Sequence, residues 1–338
     1  MGGGKLAREV DELAVQTGLS GVVRVDTAEG VLFESAHGLA HRGYGIANTT
    51  TTRFAIASGT KTLTALAVVS LIEDGTLALS TTARSLLGAD LPLIAHDVTV
   101  EHLLTHRSVI GDYLDEEAHP DVDEYLMAVP VHQLDTAQSY LAVLDGHHTT
   151  FPAGERFVYN NSGYVVLAIL AERASGRPYH DLVAERVCRP AGMAHTDFPR
   201  SDEPAPDIAR GYLRNPAREN VLHLPVRGVG DGGITTTAAD IHAMWAAFNA
   251  GRIVSPYWVR EMIRPRGEHA PGQERYGIGF WLHPTGDAVI LEGMDAGISF
   301  RSVRYRSAGV THTVLSNTSE GAWPITRHLE AHFGRSAG

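Results

Sequence analysis

The chain has 338 residues, of which 43% are hydrophobic and 20% charged, and its formal net charge is -11. That is enough apolar material for one large domain or two smaller ones, with too little polar bias for extended disorder. The acidic balance and the lack of a Lys/Arg-rich run argue against nucleic acid as the main partner, and the lack of about 18 uninterrupted apolar residues argues against a membrane span.

The opening stretch MGGGKLAREVDELAVQTG has neither the apolar core nor the small-residue cleavage site of a secretory signal, so a cytoplasmic location is expected. Residues 5–17 read as an amphipathic helix. Two short strands follow near 20–26 and 31–38, split by a turn at Glu29-Gly30. After the Thr-rich loop ANTTTTRF, a helix from Ser58 to Asp74 is apolar nearly all round and is expected to be buried, with Gly75 as its stop.

The middle of the chain, about 80–225, reads as helical and loop-rich. HLLTH (102–106) is a short helix. Asn161 or Ser162 is expected to cap SGYVVLAILAERAS, which Gly176 and Pro178 end. A further helix, YHDLVAERVC, is expected to stop before Pro190. Cys188 at its end is the only cysteine, so no intramolecular disulfide can form, and a buried inert thiol is expected.

The last third changes character. The Gly-rich turn and helix of GDGGITTTAADIHAMWAAFNAG lead into YGIGFWLH, DAVILEG, ISFRSVRYR and GVTHTVLSN, with turns at Pro284-Thr285-Gly286 and Ser307-Ala308-Gly309. A helix over about 320–333 closes the chain. Strands at both ends with helices between predict an α+β fold: one antiparallel sheet built from both termini and flanked by helices, with a mainly helical insertion. The corresponding division is an α/β domain of residues 1–78 and 226–338 and a helical domain of residues 79–225.

The chemistry is concentrated at Ser58-Gly59-Thr60-Lys61. Of 28 basic residues only Lys5 and Lys61 are lysines, and Lys, unlike Arg, can lose its proton when desolvated. Residues three apart at the start of a helix share a face, so Lys61 can reach the Ser58 hydroxyl. The positive end of the helix and burial both disfavour the ammonium, and a neutral Lys can take the serine proton.

At these residues the chain resembles a family. RFAIASGTKTLTALAVVSLIEDGTLAL is similar to the nucleophile region of class C β-lactamases, DD-peptidases and related esterases. EHLLTHRSVIGDY resembles the family's LLTHxSG segment, FPAGERFVYNNSGYVVLAILAERASG the region of its Tyr-x-Asn motif, and GDGGITTTAADI its Gly-Gly turn before a helix. The resemblance runs collinearly over roughly residues 20–317 and implies a β-lactamase/transpeptidase-like fold. It implies acylation of Ser58 by an ester or amide, with Lys61 and Tyr159 sharing general-base and general-acid work. Asn161 would bind the substrate amide or the lysine. Two outcomes fit: an esterase, amidase or transacylase, or else a β-lactamase or DD-carboxypeptidase. A third is a binding or sensor module of the same fold without turnover.

Two positions depart from the family. Where it has Lys-Thr-Gly or His-x-Gly on a strand, the match is Met294-Asp295-Ala296-Gly297, with no cation. The amides of Ser58 and Gly297 are expected to form the oxyanion hole, while recognition of a substrate carboxylate loses its usual partner. An acidic site made by Asp231 and Asp295 would instead favour a substrate cation. Val109 stands where the family has Gly. No cofactor or metal is implied: Glu101, His102 and His106 lack the H-E-x-x-H order, and no nucleotide-binding glycine motif occurs. Asp112, Asp115, Glu116 and Glu117 read as a solvated acidic loop that can line the mouth of the site.

Overall fold

The computed structural model describes residues 3–334 except 117, 118, 120, 150, 204, 216, 217, 269 and 271. Its first and last long strands are neighbours. β1 (Gly21–Thr27) hairpins with β2 (Gly30–His37) on one side and pairs on the other with the C-terminal strand, in the register Gly21↔Ser316 to Asp26↔Thr311. The other strands of this sheet are β3 (Gly267–Glu268), β4 (Arg275–Tyr276), β5 (Trp281–Leu282), β6 (Val289–Asp295), β7 (Ile298–Tyr305) and β8 (Val310–Ser316). They form an eight-stranded sheet in the order β2-β1-β8-β7-β6-β5-β4-β3, with every pair antiparallel. The α+β reading, with a sheet assembled from both termini, therefore holds.

Both faces of the sheet are covered. On one, α1 (Gly3–Thr17) and the closing helix, Ala322–Phe333, bury Leu6, Val10, Ala14, Ile325 and Leu329 against Val23, Val25 and Val314. On the other lies the main core, centred on α2 (Thr60–Glu73) and α4 (Asn161–Ser175). Residues 60–71 of α2 and 161–171 of α4 are buried on every side, which is why neither shows a polar stripe in the sequence. Each fully buried Leu, Val or Ile contributes about 1.5–3 kcal/mol, so this pair is a rigid base for anything mounted at its ends.

Four local readings need correction. The cap of α4 is Asn160, whose side chain accepts from Gly163 N, rather than Asn161 or Ser162. The helix after Pro178 does not stop before Pro190: residues 184–188 form a π turn and the chain stays helical to Ala191, Gly192 ending it at φ 75°. The wider turn removes the i−4 geometry with which a proline ring clashes. YGIGFWLH is not one strand, because Gly277–Phe280 turn between β4 and β5 and Gly279, at φ 76°, packs on Ala65 of α2. Finally, Ser58 precedes α2 in a 3-10 turn, Ala57–Gly59, instead of starting the helix. Cys188 is buried, and burial pushes its thiol up to about 12. Among the described residues no helix is long and apolar enough to cross a membrane.

Candidate active site

The nucleophile turn is held from three directions. Gly59 N–H donates to Ile56 O (2.9 Å), the short strand Phe54–Ala55 pairs with Thr235–Thr236, and β6 runs against the turn. Ala57 adopts φ 44°, a left-handed conformation costly for a residue with a Cβ, and these supports fix it there. Ser58 thus stands part-exposed above the first turn of α2.

Lys61, on that turn, is 2% exposed. Its Nζ lies 2.8 Å from Ser58 Oγ, 2.7 Å from Asn161 Oδ1 and 3.2 Å from the carbonyl oxygen of Asp231. Burial lowers the Lys61 pKa, against the attraction of Asp231, Glu116, Asp112 and Asp295. Asn161, the first residue of α4, turns its amide between elements: Nδ2 donates to Leu114 O (2.9 Å) and Glu116 Oε1 (3.0 Å). The amide nitrogens of Asn161 and Ser162 donate to Asp112 at 2.7 and 2.9 Å, so Asp112 closes the positive end of α4. Burial nevertheless holds its carboxyl at about 6.

Tyr159 precedes the cap of α4, and its phenol faces Ser58. Its ring stacks on Trp281 (5.7 Å between centroids) and lies 4.4 Å from the ring of His106. Burial pushes the phenol well above its ordinary pKa. His106 is a buried scaffold for this ring: Nδ1 accepts from Asn160 N (3.0 Å), and burial, then Lys61, keep the imidazole neutral. His102 caps α3 (Val100–Leu104) through Thr99, and Glu101 pairs with Arg266, so these three residues diverge. Val109 has φ 50°, which explains why glycine suits this position in the resembling family.

The opposite wall is strand. A Cβ on Gly293 would overlap Ile56 O and stand 2.8 Å from the amide nitrogens of Ser58 and Gly59, so only glycine lets β6 approach this closely. Asp295 pairs with Ile298 across the turn Ala296-Gly297, and β5 covers β6 only at Val289 and Ile290. Asp295 and Ile298 close a two-residue hairpin, so the Asp295 amide is turned to β7 and, by alternation, Met294 N–H points to the edge that β5 leaves uncovered. Gly297 is a correction to the sequence reading: its N–H donates to Ser319 Oγ (2.8 Å) and is not available as the second oxyanion donor. Its backbone, at φ 69°, serves the hairpin turn.

Ser58, Asn161, Met294 and Asp295 all line one cleft, together with Glu116, Tyr113 and Asp231. Asp231 is 8% exposed, with Tyr113 Oη donating to its Oδ2. Asp115 lines a second lobe that also reaches Ser58, whereas Glu117 lies outside the described residues. Gly293 was overlooked in the sequence, although a glycine inside an apolar strand is itself a sign of close backbone approach.

Comparison with known proteins bears on the family and the fold. A family model described as Beta-lactamase matches residues 6–332. The crystal structure of a penicillin binding protein from Bacillus halodurans is 31% identical with a TM-score of 0.89, covering 95% of this chain and 99% of that one. PbpX of Bacillus subtilis (strain 168), a relative named for penicillin binding, is 25% identical over 279 residues, 82% of this chain and 66% of its own. Esterase EstB of Burkholderia gladioli is 32% identical over 195 residues, 56% of this chain and 49% of the esterase. The chain spans 66% or less of the length of these curated relatives.

Proposed function

From a chain that belongs to the Beta-lactamase family, we propose a serine hydrolase or acyltransferase that cleaves an ester or amide through an acyl-Ser58 intermediate. The observation that carries this reading is the position of Lys61 Nζ, buried and 2.8 Å from Ser58 Oγ. A neutral amine has two hydrogens and one lone pair. Asn161 Oδ1 and the Asp231 carbonyl accept the two hydrogens, which leaves the lone pair for the serine proton.

In acylation Ser58 Oγ attacks the substrate carbonyl carbon as its proton passes to Lys61 Nζ. The carbonyl oxygen becomes an oxyanion between the amides of Ser58 and Met294. The bond to the leaving group then breaks as Tyr159 gives its proton to the departing atom and receives in turn the one that Lys61 took from Ser58, so that lysine and phenol are both restored in the acyl-enzyme. The raised pKa of Tyr159 keeps the phenol protonated and suits it to this role, while the lowered pKa of Lys61 suits the lysine to the first transfer. Water or another acceptor completes the cycle by attacking the acyl carbon; its proton passes to Lys61 Nζ and from there to Ser58 Oγ as the acyl bond breaks, which regenerates the free hydroxyl.

The relatives' names support hydrolase chemistry without fixing a substrate. The β-lactamase and DD-carboxypeptidase alternative is weakened by β6, which carries no cation for a substrate carboxylate. A fluorophosphonate probe should label Ser58, and Ser58→Ala should abolish both labelling and ester hydrolysis. Retained hydrolysis in the Ala variant would overturn the assignment.

A further inference from the structure

Resting on the reading of Ser58 as nucleophile, we propose that the cleft selects an ester or amide bearing an ammonium or guanidinium group, seated among Asp231, Glu116 and Asp295. The three residues line the same cleft as Ser58. Each holds one neutral donor: Tyr113 Oη on Asp231 Oδ2, Asn161 Nδ2 on Glu116 Oε1 and Ala296 N–H on Asp295 Oδ1. Among the described residues, none of the three forms a salt bridge with an arginine, lysine or histidine. The nearby cation, Lys61, is the one that burial drives toward neutrality.

Two other cations near the cleft are neutralised by acids of their own or held to backbone: Arg200 pairs with Asp135 and Asp202, and Arg210 donates one hydrogen bond to Ser201 O without an acidic partner among the described residues. Arg301, across from β6, is held by Glu274, Glu292 and Glu330. A carboxylate placed among Asp231, Glu116 and Asp295 would therefore meet three acids, none of them paired with a basic side chain. Burial and the neighbouring acids push the Asp295 carboxyl up to about 7 and raise that of Asp231. A cation placed between them reverses that repulsion, whereas an anion adds to it.

Acyl esters of matched size ending in an ammonium, a methyl or a carboxylate test the proposal. The kcat/KM should fall in that order, by about tenfold or more at each step. Asp295→Asn and Glu116→Gln preserve the neutral hydrogen bonds and should each shrink the ammonium-to-methyl ratio by about tenfold. Equal rates across the series, a preference for the carboxylate, or a ratio unmoved by both variants would overturn it. Binding separates this claim from the nucleophile assignment. Ser58→Ala protein, which cannot be acylated, should bind benzylamine more tightly than benzyl alcohol or benzoate in calorimetry, and the opposite order would sink the proposal whatever the turnover.

Discussion

On the helical side of the cleft Ser58, Lys61, Tyr159 and Asn161 present side-chain atoms, each fixed by named partners. On the strand side Gly293 contributes the absence of a side chain and Met294 a backbone amide, while the Met294 side chain itself is 38% exposed. The first wall tolerates few residue types, because proton transfer needs particular groups. The second tolerates many, because an amide hydrogen is common to all residues but proline. On the proposed mechanism, this difference lets β6 lack a cation while the groups assigned to acyl transfer stay in place.

The sharpest break of the helical wall is Lys61→Arg. Arginine keeps the charge but cannot become neutral, so kcat/KM should fall by about 10²-fold or more, and folding should survive. In the parent protein the rising limb of the pH–rate profile should lie below the ordinary lysine value, in line with the direction of the Lys61 shift. A fully active Arg variant, or a limb at the unperturbed lysine value, would remove Lys61 from the mechanism.

The strand wall should respond to the backbone and ignore its ornament. Gly293→Ala drives a methyl group into the nucleophile turn, so activity should drop by about tenfold to 10²-fold, as for loss of one oxyanion donor. Met294→Ala leaves the amide in place and should cost at least about tenfold less than Gly293→Ala. Steady-state rates on a neutral ester, with circular dichroism to check folding, give the comparison. Equal losses at the two positions would mean that the Met294 side chain, not its amide, does the work.

The smallest effect concerns the scaffold beyond both walls. His312, fully buried beneath the closing helix near Phe333, has its pKa pushed down to about 3 by burial and by Arg301. It is neutral in the fold and binds a proton on unfolding once the pH is below its ordinary value of 6.5. Stability from this group is complete above about 6.5 and lost as pH falls toward 3, with a loss of about 2 kcal/mol by pH 5. His106 and His180 act with the same sign. Urea midpoints at pH 7 and pH 5 should therefore converge in His312→Leu relative to the parent. An unchanged pH dependence would mean that His312 is already charged or solvated in the fold.

Much of the helical wall is readable in the sequence, because its chemistry depends on residue type at short spacing. Ser58 and Lys61 lie three apart, and Tyr159 and Asn161 flank one helix start. The apolar runs of α2 and α4 announce burial, and the alternation of strands and turns at the two termini announces the sheet. The strand wall is less readable. In LEGMDAGISF a glycine within an apolar strand signals that some backbone comes close, but not which element it is. That depends on the register of β6 against β7 and on the approach of Ile56, which are long-range contacts.

The sequence by itself determined the fold class, the candidate nucleophile with its base, and the missing cation, since periodicity and residue chemistry are carried by the chain. Tertiary structure alone decided three other matters. It tied the Gly297 amide to Ser319 Oγ and turned the Met294 amide to the uncovered edge of the strand, where the proposed mechanism uses it. It turned the Asp231 carbonyl toward Lys61. It also gathered Glu116, Asp231 and Asp295, residues far apart in sequence, around one cleft, since charge separated along a chain becomes an electrostatic field only when folding brings it together.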